Sequence, residues 1–219
     1  MVEKKIDVLG ITESWTHADI EDSEIKFEGY SLFRRDRNNV LKERGGGVLL
    51  YINEKLKGVK ELDDVCYPCE TVWAKIRDKF KNEIYFGVCY RSPTASEEEI
   101  LAIFEQVRKY SQQHQTVIIG DFNYSDINWN LRDSGNQGKD FLELINDSFL
   151  WHHVKEPTTG KNILDLILST EENMISDVEI HCPISTSDHN LITFQLKCST
   201  LEKDKININY ISSRPCASS

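Results

Sequence analysis

The sequence lacks the features that mark several special classes of protein. No apolar run approaches the ~18 residues that a membrane-spanning helix needs, so we expect no membrane span. The six cysteines include a single C-x-x-C pair, Cys66 and Cys69, and neither a second pair nor a nearby His pair completes a structural zinc site. No secretory signal precedes them. We therefore interpret the cysteines as reduced thiols of an intracellular protein.

Positive charge is also scarce. The 219 residues include 26 Lys and Arg against 36 Asp and Glu, which gives a formal net charge of -10. Such a chain repels nucleic-acid phosphates at long range, so a nucleic-acid substrate would require a local basic strip or metal ions. The sequence Arg34-Arg35-Asp36-Arg37 could be that strip, although such a run is usually a solvated loop with internal salt bridges.

The apolar pattern predicts many strands and few helices. Ser96 is a good N-cap for a helix that runs to about Gln113, and a second helix is expected around residues 141–145. Strands are predicted for residues 6–11, 48–52, 71–76, 84–90, 116–119, 163–168, 178–180 and 190–196. This distribution favours stacked sheets flanked by helices. The pattern fades after Cys198, so residues 199–219 are expected to form a polar tail or a linker.

Several predicted strands begin or end at a polar side chain that a simple core strand does not need. Glu13 follows the first strand, Asp121 and Asn123 follow residues 116–119, and Asp188 stands just before the last strand. Asp165 lies inside an apolar strand, where an ionised carboxylate is costly unless a metal or a hydrogen-bond donor meets it. These positions point to a site assembled from strand ends.

These residue types suit metal-assisted hydrolysis of a phosphodiester. Glu13 is a hard oxygen ligand of the kind that magnesium prefers, and Asp188 is a second candidate for the metal. Asp121 could orient or deprotonate water, and Asn123 could donate a hydrogen bond to phosphate. Taken singly, these residues also fit a turn, a cap or a solvated strand end.

The remaining candidates are an imidazole, a carboxylate and a phenol. His189 could act as a base or hold developing negative charge, with Asp165 fixing its tautomer. Tyr90 could donate a phenolic hydrogen bond, although a tyrosine in a strand more often serves packing.

As an ordered set, the motifs resemble one superfamily. They are ITESW at 11–15, GGGV at 45–48, YRSP at 90–93, GDFN at 120–123, ILDL at 163–166 and SDH at 187–189. The set is similar to the endonuclease/exonuclease/phosphatase superfamily, which has the DNase I-like fold. Within it, the sequence resembles the apurinic-like endonuclease domain of non-LTR retrotransposons of the LINE or jockey type. LFRRDR at 32–37 and EPT at 156–158 also resemble that branch, and the resemblance covers residues 6 to about 197.

The resemblance implies an α+β fold, a four-layer α/β/β/α sandwich of two mixed sheets. It implies hydrolysis that depends on Mg²⁺ or Mn²⁺, with chromosomal DNA nicked to prime reverse transcription. The implied partners are DNA and a reverse transcriptase domain in the full-length element. A monomeric, nuclear protein is expected.

The motif match also implies a role for each candidate residue. The implied roles are Glu13 as metal ligand, Asp188 as metal-side acid, Asp121 as water-activating acid, Asn123 and Tyr90 as phosphate contacts, Asp165 and His189 as the orienting pair, and Arg34, Arg35 and Arg91 as phosphate or DNA contacts.

The chain departs from the superfamily pattern at its beginning. Members carry a strand upstream of the Glu13 strand, and that strand ends in an Asn that helps to hold metal and phosphate. The chain starts at Met1, too late to contain it. We therefore expect residues 1–198 to form an N-terminally truncated domain with an open sheet edge.

The departure leaves two alternatives to a DNA endonuclease. Loss of one positioned amide commonly costs ~2–4 kcal/mol of transition-state stabilisation, so the chain could be a weakened or inactive remnant. It could also be a superfamily member that acts on a non-DNA phosphoester, such as an inositol phosphate, a lipid headgroup or an RNA tail.

Overall fold

The computed structural model describes residues 5–37, 45–60, 68–198 and 204–213. Strands and helices are numbered in chain order. The first of two six-stranded sheets has the strand order β12 (Ile175–Pro183), β13 (Asn190–Lys197), β14 (Lys205–Ser212), β1 (Val8–Thr12), β3 (Val48–Asn53) and β2 (Tyr30–Arg35). The second sheet has the order β10 (Trp151–His152), β11 (Asp165–Ser169), β7 (Gln115–Asp121), β6 (Glu83–Tyr90), β5 (Glu70–Arg77) and β4 (Val59–Lys60). A small hairpin pairs β8 (Ile127–Asn128) with β9 (Asp133–Ser134).

Both sheets are mixed. In the first sheet β1 and β14 are parallel, and in the second sheet β6 and β7 are parallel. Their apolar inner faces form one shared core, which includes Val8 and Leu50 from the first sheet and Phe86 and Ile119 from the second. The expected α+β sandwich of two facing mixed sheets is confirmed.

Helices cover the outer faces unequally. The long helix α2 (Glu97–Gln113) connects β6 to β7, and α3 (Lys139–Asp147) packs beside it against the second sheet. The predicted N-cap is present, since the Ser96 Oγ accepts the Glu99 N–H at 3.2 Å. The first sheet is covered, within the described ranges, by the single turn α1 (Asp22–Ile25), near which the Tyr51 hydroxyl donates to the Ile25 carbonyl at 2.8 Å. No helix in the described part of the chain is long and apolar enough to cross a membrane.

The prediction of a polar tail after Cys198 is wrong for residues 205–212. These residues form β14, which lies inside the first sheet, antiparallel to β13 and parallel to β1. Every second side chain, Ile206, Ile208 and Tyr210, is fully buried between the sheets. The open edge expected beside β1 is therefore absent, because β14 pairs with one side of that strand and β3 with the other.

A second element was not predicted. The segment read as a basic loop begins within β2, which pairs antiparallel with β3. All six residues of β2 are half-buried, so the segment lacks the strongly apolar face that marks a core strand.

Candidate active site

The ends of three neighbouring strands bring the first group of predicted site residues together. In the second sheet, Asp121 closes β7 and is the register partner of Tyr90 on β6 and of Asp165 on β11. Gly120 permits this close pairing, since a Cβ at its position would lie 1.9 Å from the Cys89 carbonyl oxygen. Asp121 and Asp165 are both fully buried.

His189 and Asp165 form the predicted pair. The His189 Nδ1 lies 2.8 Å from the Asp165 Oδ2, and both side chains are buried. With Asp165 ionised, Nδ1 carries the proton, and Nε2 points away from the pair. The Thr158 Oγ1 accepts the N–H groups of Leu164 and Asp165, each at 3.1 Å, and so fixes the backbone from which Asp165 projects.

Two buried carboxylate oxygens lie near the free nitrogen of His189. The His189 Nε2 lies 3.9 Å from the Asp121 Oδ2 and 3.7 Å from the Asp188 Oδ1. None of these three atoms has a hydrogen-bond partner among the described residues. Buried polar atoms are nearly always satisfied, so unsatisfied atoms on and around the His189 Nε2 mark a place for a bound group.

The charged groups of the cluster shift one another's pKa values. Burial, and then the charge of Asp165, raises the pKa of Asp121 well above its usual value. For His189, burial lowers the pKa, but the hydrogen bond and charge of Asp165, with the charges of Asp121 and Asp188, outweigh it and raise the pKa overall. The cluster therefore gains from added positive charge.

These atoms fit a divalent cation. Asp121, Asp165 and His189 each offer a ligand atom within 4.8 Å of the others, among the residues that the structure describes. Because the Asp165 oxygens already accept hydrogen bonds, the Asp121 Oδ2 and the His189 Nε2 are the atoms of this group left open to an ion. Carboxylate oxygens suit Mg²⁺ or Mn²⁺.

Glu13, the predicted metal ligand, lies in a separate set of hydrogen bonds. It is 7% exposed, and its Oε2 accepts the Trp15 Nε1–H at 3.0 Å and the Gly46 N–H at 2.5 Å. Its Oε1 accepts the hydroxyl of Tyr90. Burial, and then the charge of Glu13, raises the pKa of Tyr90, so this phenol stays protonated and donates. Tyr90 thus contacts Glu13, where a phosphate contact was expected.

Glu70 is a buried acid that the sequence analysis missed. Its Oε1 accepts the Arg37 Nε–H at 2.6 Å, and its Oε2 accepts the Gly47 N–H. The glycine turn at 45–47 therefore supplies N–H groups to two carboxylates, Glu13 and Glu70. Both glycines have positive φ, +77° at Gly46 and +83° at Gly47, a conformation that favours glycine. The available signal was the one that marked Asp165, an acid placed against an apolar strand.

The loop that follows β7 is shaped by two predicted contact residues. The Asn123 Nδ2 donates to the Arg91 carbonyl at 2.9 Å, and the Asn123 backbone has φ +53°. Arg91 is 6% exposed, donates to the Phe122 and Asn123 carbonyls at 3.3 and 3.2 Å, and stacks over the Tyr124 ring. Arg91 therefore holds the loop in place, and its contact with phosphate stays a prediction.

Arg34 is also engaged within the protein. Its guanidinium contacts Asp22 at 3.0 Å and Asp36 at 2.9 Å and donates to the Ile20 carbonyl at 2.7 Å. Arg34 therefore ties α1 to β2. Its ion pairs match the internal salt bridges that such a run usually has, and its contact with DNA stays a prediction. Arg35 is half-buried on the same strand.

Comparisons with known proteins give the family. The model of the family described as "Endonuclease-reverse transcriptase" matches residues 84–193, half of the chain. The chain belongs to the endonuclease-reverse transcriptase family. The matched segment contains Tyr90, Asp121, Asp165, Asp188 and His189, whereas Glu13 lies outside it. No curated protein gives a significant match.

Solved structures agree on the fold. The endonuclease domain of TRAS1, a telomere-specific non-LTR retrotransposon, aligns with a TM-score of 0.62 and 16% identity over 87% of this chain and 86% of its own. An endonuclease/exonuclease/phosphatase family protein from Bacteroides thetaiotaomicron aligns with a TM-score of 0.54 and 13% identity over 93% and 83%. Another from Leptotrichia buccalis gives 0.52 and 17% over 80% and 79%. This member of the endonuclease-reverse transcriptase family thus has the DNase I-like phosphoesterase fold.

Proposed function

We propose that the chain is a divalent-metal-dependent phosphodiesterase that nicks DNA. The observation that carries the proposal is that the unpartnered His189 Nε2 lies within 3.9 Å of two other unpartnered buried atoms, the Asp121 Oδ2 and the Asp188 Oδ1. Family membership and the likeness to a retrotransposon endonuclease fold support DNA as the substrate.

A cation held on the Asp188 side of this cluster would neutralise phosphate charge and polarise the phosphoryl group. Asp121, whose pKa burial raises, would accept a proton from the attacking water. His189, held by Asp165, would stabilise the negative charge that develops on the phosphoryl oxygens. Water adds to phosphorus, the bond from phosphorus to the sugar oxygen breaks, and the departing oxygen takes up a proton from solvent. The nick then has one phosphate end and one hydroxyl end.

Glu13 is included as a second metal-side group in this proposal. It would have to exchange a hydrogen bond from Tyr90, Trp15 or Gly46 for the cation. We further propose that the domain acts as a monomer and is joined to a reverse transcriptase in the full-length element, as the name of the family suggests.

Plasmid nicking tests the function. Supercoiled plasmid is incubated with the protein and either Mg²⁺, Mn²⁺ or a chelator, and conversion to the nicked circle is followed. We expect metal-dependent nicking that His189→Ala lowers by roughly 10²–10⁴-fold, the usual contribution of a positioned acid or base. The matched control is His17→Ala, because the side chain of His17 is 61% exposed and distant from the cluster in sequence. Nicking by His189→Ala at the wild-type rate contradicts the proposal.

A second candidate is hydrolysis of a small phosphoester. It is favoured by the net charge of -10 and by the engagement of Arg34 and Arg91 within the protein, which leaves neither guanidinium pointed at a DNA backbone. Hydrolysis of inositol phosphates or of a small phosphodiester is measured with the same preparations. A rate well above plasmid nicking, abolished by His189→Ala, would replace DNA with the small substrate.

A further inference from the structure

The hydroxyl of Tyr210 contacts the Asp165–His189 pair from the opposite sheet. Tyr210 lies on β14, is fully buried, and faces the second sheet. Its Oη is 2.9 Å from the Asp165 Oδ1 and 2.8 Å from the Thr12 Oγ1. A side chain in the segment 199–219, where a tail was expected, thus touches the acid that orients His189.

The direction of these hydrogen bonds follows from counting protons. An ionised Asp165 can only accept, so the single hydroxyl proton of Tyr210 must point to its Oδ1. The Tyr210 oxygen then has no proton for Thr12, and the Thr12 hydroxyl donates to Tyr210. Burial, and then the charges of Asp165 and Asp121, raises the pKa of Tyr210, which keeps the phenol protonated.

The contact uses the carboxylate oxygen that His189 leaves open. His189 Nδ1 bonds the Oδ2 and Tyr210 bonds the Oδ1, so a strong donor meets each oxygen of Asp165. A carboxylate bonded strongly at one oxygen can rotate about its Cβ–Cγ bond, and rotation would carry the imidazole with it. Donors on both oxygens fix the plane of the carboxylate and thereby the direction of the His189 Nε2.

We propose that Tyr210 is a positioning residue of the active site, which sets the orientation of His189 through Asp165 and makes β14 part of the catalytic unit. The proposal rests on the proposed phosphodiesterase function. The Thr12 hydroxyl donates to the Tyr210 oxygen and thereby fixes the direction of the Tyr210 hydroxyl. Tyr210 lies outside the segment that matches the family, residues 84–193.

The test is Tyr210→Phe, which removes the hydroxyl and keeps the ring in the core. We expect kcat for plasmid nicking to fall about tenfold, in line with loss of a hydrogen bond to a charged group, and KM to stay unchanged because Tyr210 is buried away from substrate. Thr12→Val should lower kcat in the same direction and less, about threefold. Tyr51→Phe is the matched control. Tyr51 is a buried tyrosine of the same sheet as Tyr210, and its hydroxyl donates to the main-chain carbonyl of Ile25 in α1.

A spectroscopic readout separates this proposal from the proposed function. The Nδ1 proton of His189 is followed by NMR, where its hydrogen bond to Asp165 places it downfield. We expect Tyr210→Phe, and not Tyr51→Phe, to shift this resonance and to speed its exchange with water. If the wild type nicks no DNA, the proposed function fails, and the resonance still decides whether Tyr210 positions the pair. An unchanged resonance in Tyr210→Phe overturns the inference, and so does an unchanged kcat in an otherwise active enzyme.

Discussion

Ile208→Ala tests whether the segment after residue 198 is a tail or a structural strand. Ile208 is fully buried at the centre of β14, and its register partners are Val8 on β1 and Phe194 on β13. Truncation removes three side-chain carbon atoms from a site where both neighbouring strands and the facing sheet restrict relaxation. Substitutions of this kind cost about 2–5 kcal/mol, the sum of lost burial and the cavity left behind.

The size of the effect makes the experiment decisive. Domains have a free energy of unfolding of about 5–15 kcal/mol, so the loss is a large fraction of the total. With a urea m-value of about 2 kcal/mol/M, a loss of ~3 kcal/mol moves the unfolding midpoint by about 1.5 M. Urea unfolding followed by tryptophan fluorescence and by circular dichroism measures this shift.

Two further variants complete the design. Ile184→Ala makes the same substitution at a residue that is 47% exposed, where the expected change is within about 0.5 kcal/mol. Ile208→Val deletes a single methylene and should cost about 0.5–1.5 kcal/mol, which covers the case in which Ile208→Ala fails to fold. A midpoint for Ile208→Ala equal to that of Ile184→Ala would refute the placement of β14 in the core.

Two other predictions concern buried ionisable groups. Burial, and then the charges of His153, Arg132 and Lys155, lowers the pKa of His152 to about 3, below its value in the unfolded chain. As the pH falls, the unfolded state therefore binds a proton before the folded state does. The free energy of unfolding that neutral His152 contributes is fully present above pH ~6.5, and it falls by about 2 kcal/mol between pH 7 and pH 5. His152→Phe should flatten that dependence in urea titrations, whereas His17→Phe should retain it. Separately, Arg37→Ala should destabilise the protein by about 3–5 kcal/mol, because Glu70 stays buried without its ion pair. The double variant with Glu70→Gln should recover part of the loss, and a double variant as unstable as the single one would contradict this reasoning.

The parts of the structure that follow from local pattern were predictable from sequence. The apolar runs before Glu13 and Asp121 and after His189 are each long enough to identify a strand, and the polar residue beside each run locates a strand end. The contacts of His189 with Asp121 and Asp165 follow from family resemblance, because contacts between residues far apart in the chain leave no local trace.

Two features of the structure could not be read from local pattern, each for its own physical reason. β14 alternates the buried Ile206, Ile208 and Tyr210 with half-buried asparagines, and the polar residues that surround it concealed the strand. A period of two was the available signal. The roles of Arg34 and Arg91 could not be predicted, since a guanidinium serves DNA, a carboxylate or a carbonyl equally well by composition.

The candidate active site spans both sheets, and this ties its geometry to the packing of the core. Tyr210 of the first sheet, whose hydroxyl also bonds Thr12, reaches Asp165 of the second, and Tyr90 of the second reaches Glu13, which follows β1 of the first. These polar contacts cross the same interface that the apolar core fills. A core substitution that slides one sheet against the other would misalign the contacts before it unfolds the domain, and a misplacement of ~1 Å commonly costs about 10²-fold in rate. The sandwich interface is therefore the element on which stability and the proposed catalysis would both depend, and β14 contributes to it buried apolar side chains and, through Tyr210, a hydrogen bond to Asp165.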